Sequence, residues 1–167
     1  MRSRLTVLAA AIALTAGCDK KEEPKAAPSP TAPAAPPRPE TLPNGEPASV
    51  SVKHVLVSFQ GSQGPKTNRT REEAERLAYE ILARAKAGEE IENLMREFSD
   101  DPGSKGGNAY DLCNEGVTPR GRDESPRSGM VKGFGDVCFR LAVNEVGFAP
   151  YDSATTPHGF HIIKRVK

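Results

Sequence analysis

The chain has 167 residues, 27% of them charged and 37% hydrophobic, with a formal net charge of +1. That length holds one domain with a moderate core plus some unstructured chain, and the small, dispersed charge offers no basic footprint for nucleic acid. Tryptophan is absent and aromatics make up 5%, so the core must be mostly aliphatic.

Arg2 and Arg4 open the chain, Leu5 to Ala16 form an apolar run, and Leu14-Thr15-Ala16-Gly17-Cys18 ends it in small residues. This pattern is that of a secretory signal, too short for a lasting bilayer span. The cysteine directly after the small residues resembles the lipobox of bacterial lipoproteins. That resemblance implies cleavage before Cys18, acylation at Cys18, and an anchor on the surface of an envelope membrane, facing the periplasm or the exterior. The alternative is an ordinary cleaved signal with an incidental cysteine. From Asp19 to about Ala48, prolines interleave with alanines and large apolar residues are almost missing. Such a segment cannot bury enough surface to offset its ordering, and it favours extended conformations that reach ~3 Å per residue. The expected division is a signal at 1–17, a lipidated Cys18 with a disordered tether over 18–49, and a folded domain over 50–167.

The domain opens with a strand over Val50 to Phe59, followed by a loop rich in glycine, proline and asparagine. Thr70-Arg71-Glu72-Glu73 is a capping box, and Ala74, Leu77, Ala78, Ile81, Leu82 and Ala85 recur at helical spacing until Gly88 stops the helix. Ile91, Leu94, Met95 and Phe98 mark one face of a second, short helix. Phe98 to Gly107 reads as a loop by every local rule, and Asn108 to Leu112 as a short strand. Cys113 to Ser128, with prolines, glycines and mixed charges, is a surface excursion. A third helix follows Gly129–Phe134, with Val137, Cys138, Leu141 and Ala142 facing inward, and Val146 to Tyr151 is a further strand. The chain closes on Gly159-Phe160-His161-Ile162-Ile163-Lys164, a strand apolar on both faces. Helices packed on an antiparallel sheet, an α+β class, is the expected result.

Two of the three histidines, His54 and His161, lie inside apolar strands at opposite ends of this domain. A buried imidazole costs free energy unless its nitrogens find partners. Either alone reads as a satisfied core histidine. Two together, on strands able to be sheet neighbours, point to a shared site.

Four motifs occur in order: His-Val-Leu-Val at 54–57, Phe-Ser-Asp-Asp-Pro-Gly-Ser-Lys-Gly-Gly at 98–107, Gly-Met-Val-Lys-Gly-Phe at 129–134 and Gly-Phe-His-Ile-Ile-Lys at 159–164. Over 50–167 the chain resembles the parvulin family of peptidyl-prolyl cis/trans isomerases. The resemblance implies a four-stranded antiparallel sheet in βαααβαββ-like order, surrounded by helices, with the first and last strands central and adjacent. It implies activity on X-Pro bonds of exported polypeptides as they fold, with no cofactor and no metal. Met130 and Phe134 match the family's proline pocket. His54 and His161 match its paired histidines, expected as a hydrogen-bonded pair that orders the site. Asp101 stands where a carboxylate or thiol occurs in the family, and Thr156 at a hydroxyl position that supports the histidines. A turn-capping role is the alternative for Asp100 and Asp101. The basic cluster by which some parvulins read a phosphorylated residue is reduced here to Lys66 and Arg69.

Three departures stand out. Ala109 replaces the usual pocket leucine, leaving Tyr110 or Leu112 to fill the space, and this opens a second reading as a chaperone-like binding module with little turnover. The loop before Gly129 is longer than usual, and His158 replaces a serine. Three histidines with Asp101 also suggest a metal set, but residues 158 and 161 face opposite ways in extended chain. Cys113 and Cys138 are either a disulfide, as export permits, or a loop thiol and a small core residue.

Overall fold

The computed structural model describes residues 38–167, so the expected signal, Cys18 and most of the tether lie outside the described residues. The elements are β1 (Ser49–Val57), α1 (Arg71–Lys86), α2 (Ile91–Phe98), α3 (Pro102–Lys105), β2 (Tyr110–Cys113) and β3 (Glu124–Pro126). After a 3-10 turn at Arg127–Gly129 come α4 (Lys132–Arg140), β4 (Val146–Ala149) and β5 (Phe160–Arg165). The sheet runs β3-β2-β1-β5-β4.

The first and last strands are neighbours at the centre, antiparallel, with Leu56 opposite His161 and His54 opposite Ile163. The sheet has five strands and is mixed, correcting the expected four antiparallel ones. Its extra member, β3, runs parallel to β2, with Asp111 opposite Glu124. Glu124-Ser125-Pro126 carries no apolar alternation, and its proline is tolerated because β3 is an edge strand.

Alternation along the two central strands sorts the core into two layers. Val55 and Val57 of β1, with Phe160 and Ile162 of β5, pack against Ala78 and Ile81 of α1 and Leu94 and Met95 of α2. Val50 and Val52, with Ile163, point the other way onto Phe134, Cys138 and Phe139 of α4. Ile81, Leu94, Met95, Ile162 and Ile163 are fully buried, each contributing roughly 1.5–3 kcal/mol relative to exposure. His54 and His161 share parity with the second layer, so the alternation places both rings on the α4 side.

The helix ends follow the local chemistry. Thr70 Oγ1 accepts from the Glu73 amide at 3.2 Å, and Glu73 Oε2 accepts from the Thr70 amide at 2.8 Å, the expected reciprocal box. Gly88 leaves α1 at φ +97°, a conformation natural to glycine. Residues 98–107 are not all loop: Asp101 caps the short α3, with Pro102 at its first position, where a missing N–H is harmless.

Residues 38–48 also belong to the folded unit, ahead of the expected start at Val50. Ala48 is buried, Thr41 bridges Pro47, and the Ala48 amide donates to the Glu40 carbonyl. Proline and alanine disguise this segment as tether, because hydrogen bonds and ion pairs hold it in place of large apolar side chains. Cys113 and Cys138 are both free and buried, in place of the disulfide that export would permit. The Cys113 thiol donates to the Val117 carbonyl, and Cys138 fills the α4 layer, where burial pushes its pKa up to about 12.

Candidate active site

A cavity of about 530 Å³ opens on the α4 side of the sheet, beside His54, Leu56 and His161. Met130, Val131 and Phe134 form one wall, Asp101 and Tyr110 another, and Gln63, Gly64, Pro65 and His158 the rim. Every residue expected at the site except Thr156 lines it. The chain reaches this arrangement through close backbone approaches at two glycines. A Cβ on Gly64 would lie 2.3 Å from the His158 carbonyl oxygen, and one on Gly159 2.3 Å from that of Val57.

His54 and His161 are diagonal neighbours across β1 and β5, with ring centroids 5.6 Å apart and planes tilted by 42°. They are not hydrogen-bonded to each other, contrary to the expected pair. His54 Nδ1 and both nitrogens of His161 have no hydrogen-bond partner among the described residues. The rings pack against aromatic neighbours instead: Phe134 lies 5.0 Å from His54, edge to face, and 5.3 Å from His161, tilted, and Tyr110 lies 5.1 Å from His54, also tilted. Both are 4% exposed, and desolvation disfavours the imidazolium. Burial pushes His54 down to about 4, only partly opposed by Asp101. Burial, with His54 and His158 alongside, pushes His161 down to about 3. At neutral pH both rings are therefore uncharged.

Asp101 has two tasks. Its oxygens accept the Gly103 and Ser104 amides at 3.1 Å each, capping α3. Oδ2 also accepts from the Tyr110 hydroxyl at 2.7 Å and stands 3.4 Å from His54 Nε2. Burial works against this carboxylate, but the Tyr110 and amide donors and His54 outweigh it and hold its pKa below the usual carboxylate range. Burial and the Asp101 hydrogen bond raise Tyr110 to about 12, so the phenol stays a donor. Asp100 is an anchor outside the cavity. It accepts from the Ser58 amide and hydroxyl at 2.9 Å and from Arg69 at 2.7 Å.

Thr156 is buried, but its hydroxyl donates to the Pro150 carbonyl, not to a histidine. Its methyl group faces Gly133 on α4, so it closes the turn behind the cavity. Ala109 is exposed, and Tyr110 takes the wall that a leucine would fill. That substitution was signalled only by the missing leucine, since the hydrogen bond to Asp101 joins residues in different elements.

Residues 42–167 match the profile of the PPIC-type PPIASE domain. The chain belongs to the PpiC-type peptidyl-prolyl isomerase family. Among curated proteins, this isomerase domain is 37% identical over 90 residues to the foldase protein PrsA of Geobacillus kaustophilus, covering 54% of the chain and 27% of that protein. It is 31% identical over 90 residues to the chaperone SurA of Pseudomonas fluorescens, covering 51% of the chain and 20% of that protein. The chain thus matches about a quarter of the length of these relatives. Among solved structures, the peptidyl-prolyl isomerase ESS1 of Candida albicans superposes with a TM-score of 0.54 at 26% identity, over 74% of this chain and 69% of that one. TbPIN1 superposes with a TM-score of 0.54 at 23% identity, over 72% and 98%, a likeness of fold.

Proposed function

We propose that the protein accelerates cis/trans exchange of X-Pro bonds in exported polypeptides while they fold, held at an envelope membrane by lipid on Cys18. The observation that carries the reading is the cavity itself: an apolar wall of Met130 and Phe134 facing two uncharged, buried imidazoles and one fixed carboxylate. X-Pro exchange is slow because the twisted amide loses its resonance, a barrier of ~18–20 kcal/mol. The twisted form separates less charge than the planar one, so the desolvated surroundings of the turning carbonyl favour it differentially, while the wall grips the proline ring in either form. Met130 and Phe134 hold the ring while the preceding carbonyl turns past His54, His161 and Asp101. Neutral imidazoles suit this role, because rotation needs no proton transfer. Thr156 supports the turn that carries the rim.

The substrates have apolar or neutral residues before proline. Arg69 spends its guanidinium on Asp100 and on the Ser58 carbonyl at 2.8 Å, leaving exposed Lys66 to meet a phosphate, and one exposed pair is worth about 1 kcal/mol or less. The PrsA and SurA relatives, named a foldase and a chaperone, support unfolded polypeptide as the client. Refolding of a protein limited by prolyl isomerisation tests the reading. Sub-stoichiometric protein should shorten the slow phase severalfold. An effect only at stoichiometric amounts, with the slow rate unchanged, would instead establish a binding module.

A further inference from the structure

The segment 38–48 grips the excursion between β2 and α4 at two points, and that excursion ends in the cavity wall. At the far end, the Arg38 guanidinium forks onto Glu124 at 2.6 and 2.9 Å and also meets the Thr118 carbonyl. At the near end, Arg127 Nη1 donates to Glu46 Oε2 at 2.9 Å and Asn114 Oδ1 at 3.0 Å, and Nη2 to Asp136 Oδ1 at 2.8 Å. Its guanidinium lies 5.0 Å above the Phe139 ring, and Gly135 leaves room for its stem, a Cβ there being 3.2 Å from Arg127 Cγ. Asn114, buried, closes the circuit by donating to Glu46 Oε2 and the Pro47 carbonyl, both at 3.0 Å. The Arg127 carbonyl in turn accepts from the Met130 amide at 3.0 Å. One side chain therefore joins the N-terminal segment, the excursion and α4, three residues before the wall begins.

We propose that Glu46, acting through Arg127, is a positioning residue for the proline-binding wall of Met130 and Phe134. The inference rests on the reading of that wall as the proline pocket. A planar fork that makes three directed hydrogen bonds fixes orientation as well as position. Without the Glu46 carboxylate, Arg127 keeps only partners on the excursion and on α4, and the start of Met130-Val131 loses its outside reference. The consequence is a domain whose substrate grip depends on the segment that precedes its first strand. A truncation at Val50 would leave the sheet and both histidines but loosen the wall.

The loss falls on binding more than on rotation, because the wall grips the proline ring in ground and transition states alike. In the full chain, Glu46→Gln should raise KM for a short Leu-Pro peptide three- to tenfold with kcat within twofold. Arg127→Lys, which keeps the charge and loses the fork, should do the same, and the double variant should be no worse than either alone. Arg84→Gln on α1 removes a comparable ion pair, to Glu89 just beyond that helix and away from the cavity lining, and should leave KM unchanged. An unchanged KM in both Glu46→Gln and Arg127→Lys would overturn the proposal, as would an equal rise in Arg84→Gln, which would mean general loosening. Failure of the isomerase reading is distinguishable, since the unaltered chain would then show no turnover to divide into KM and kcat.

Discussion

Tyr110 is the residue whose chemistry departs furthest from the motif pattern, and it reaches the cavity through its neighbour's charge. Its hydroxyl is one of three donors on Asp101, and a bond to an ionised acceptor is worth about 1.5–3 kcal/mol when well buried. Tyr110→Phe keeps the wall and removes that donor, so the Asp101 carboxylate becomes easier to protonate. The acid limb of kcat/KM should therefore move to higher pH, with a loss of severalfold or less at neutral pH. An unmoved limb would remove Asp101 from the rate-determining surroundings. The histidines give a second test at this scale. Their folded pKa values, about 4 and about 3, lie below the ordinary 6.5, so below pH 6.5 the unfolded chain binds protons that the folded one refuses. Stability should be flat above pH 6.5 and fall as pH drops toward 4, by up to about 1.4 kcal/mol per pH unit for each ring. Carboxylates held below 4.5, such as Glu46 and Glu92, add their loss only lower down. Chemical denaturation from pH 8 to 4 reads this directly, and His161→Leu should flatten the slope.

At the scale of elements, the close approach of the β5 entry to β1 is the most demanding piece of backbone. Gly159 sits at φ +143° with the Val57 carbonyl where a side chain would begin. Gly159→Ala should cost roughly 1–3 kcal/mol through backbone strain and displace His161, lowering both melting temperature and activity. A fully active Gly159→Ala protein with unchanged melting would mean that the β1–β5 register tolerates what the geometry forbids. Elements with a period were legible beforehand. The α1 box Thr70/Glu73, the apolar spacing from Ala74 to Ala85, and the two-faced strand at 160–163 each announce themselves within one local window. The elements that escaped are those whose cause is distant. β3 is three polar or cyclic residues that become a strand only because β2 offers an edge. Residues 38–48 read as tether because what holds them, Glu124, Asn114 and Arg127, lies far along the chain. The same division runs through the site. His54, His161, Met130 and Phe134 were legible by position in motifs, whereas the histidines' lack of a mutual hydrogen bond follows from a diagonal register that no single strand encodes. Thr156 differs, since its acceptor, the Pro150 carbonyl, lies in the same β4–β5 connection, but nothing in a lone hydroxyl says which nearby carbonyl it will meet.

For the whole molecule, one central sheet supports two layers with different duties. The α1 and α2 layer is a conventional apolar core, while the α4 layer gives up part of its packing to a cavity floored by two imidazoles, three of whose four nitrogens have no hydrogen-bond partner among the described residues. The cost of those buried nitrogens is accepted by a fold that is otherwise well sealed, with Ile162, Leu94 and Met95 fully buried in the opposite layer and Ile163 on the cavity side. Under the proposed reading, function sits on one side of the sheet and the other serves stability. The central claim, that this side turns prolyl bonds over, is tested most directly by exchange spectroscopy on a short Ala-Pro or Leu-Pro peptide. Catalytic amounts of the protein should produce cis/trans exchange cross-peaks absent from the peptide alone, unaffected by chelator. With peptide below KM, Phe134→Ala should reduce the exchange rate at least tenfold, about 1.4 kcal/mol, through lost grip on the proline ring. A folded protein that binds the peptide yet leaves its exchange at the uncatalysed rate would contradict the account.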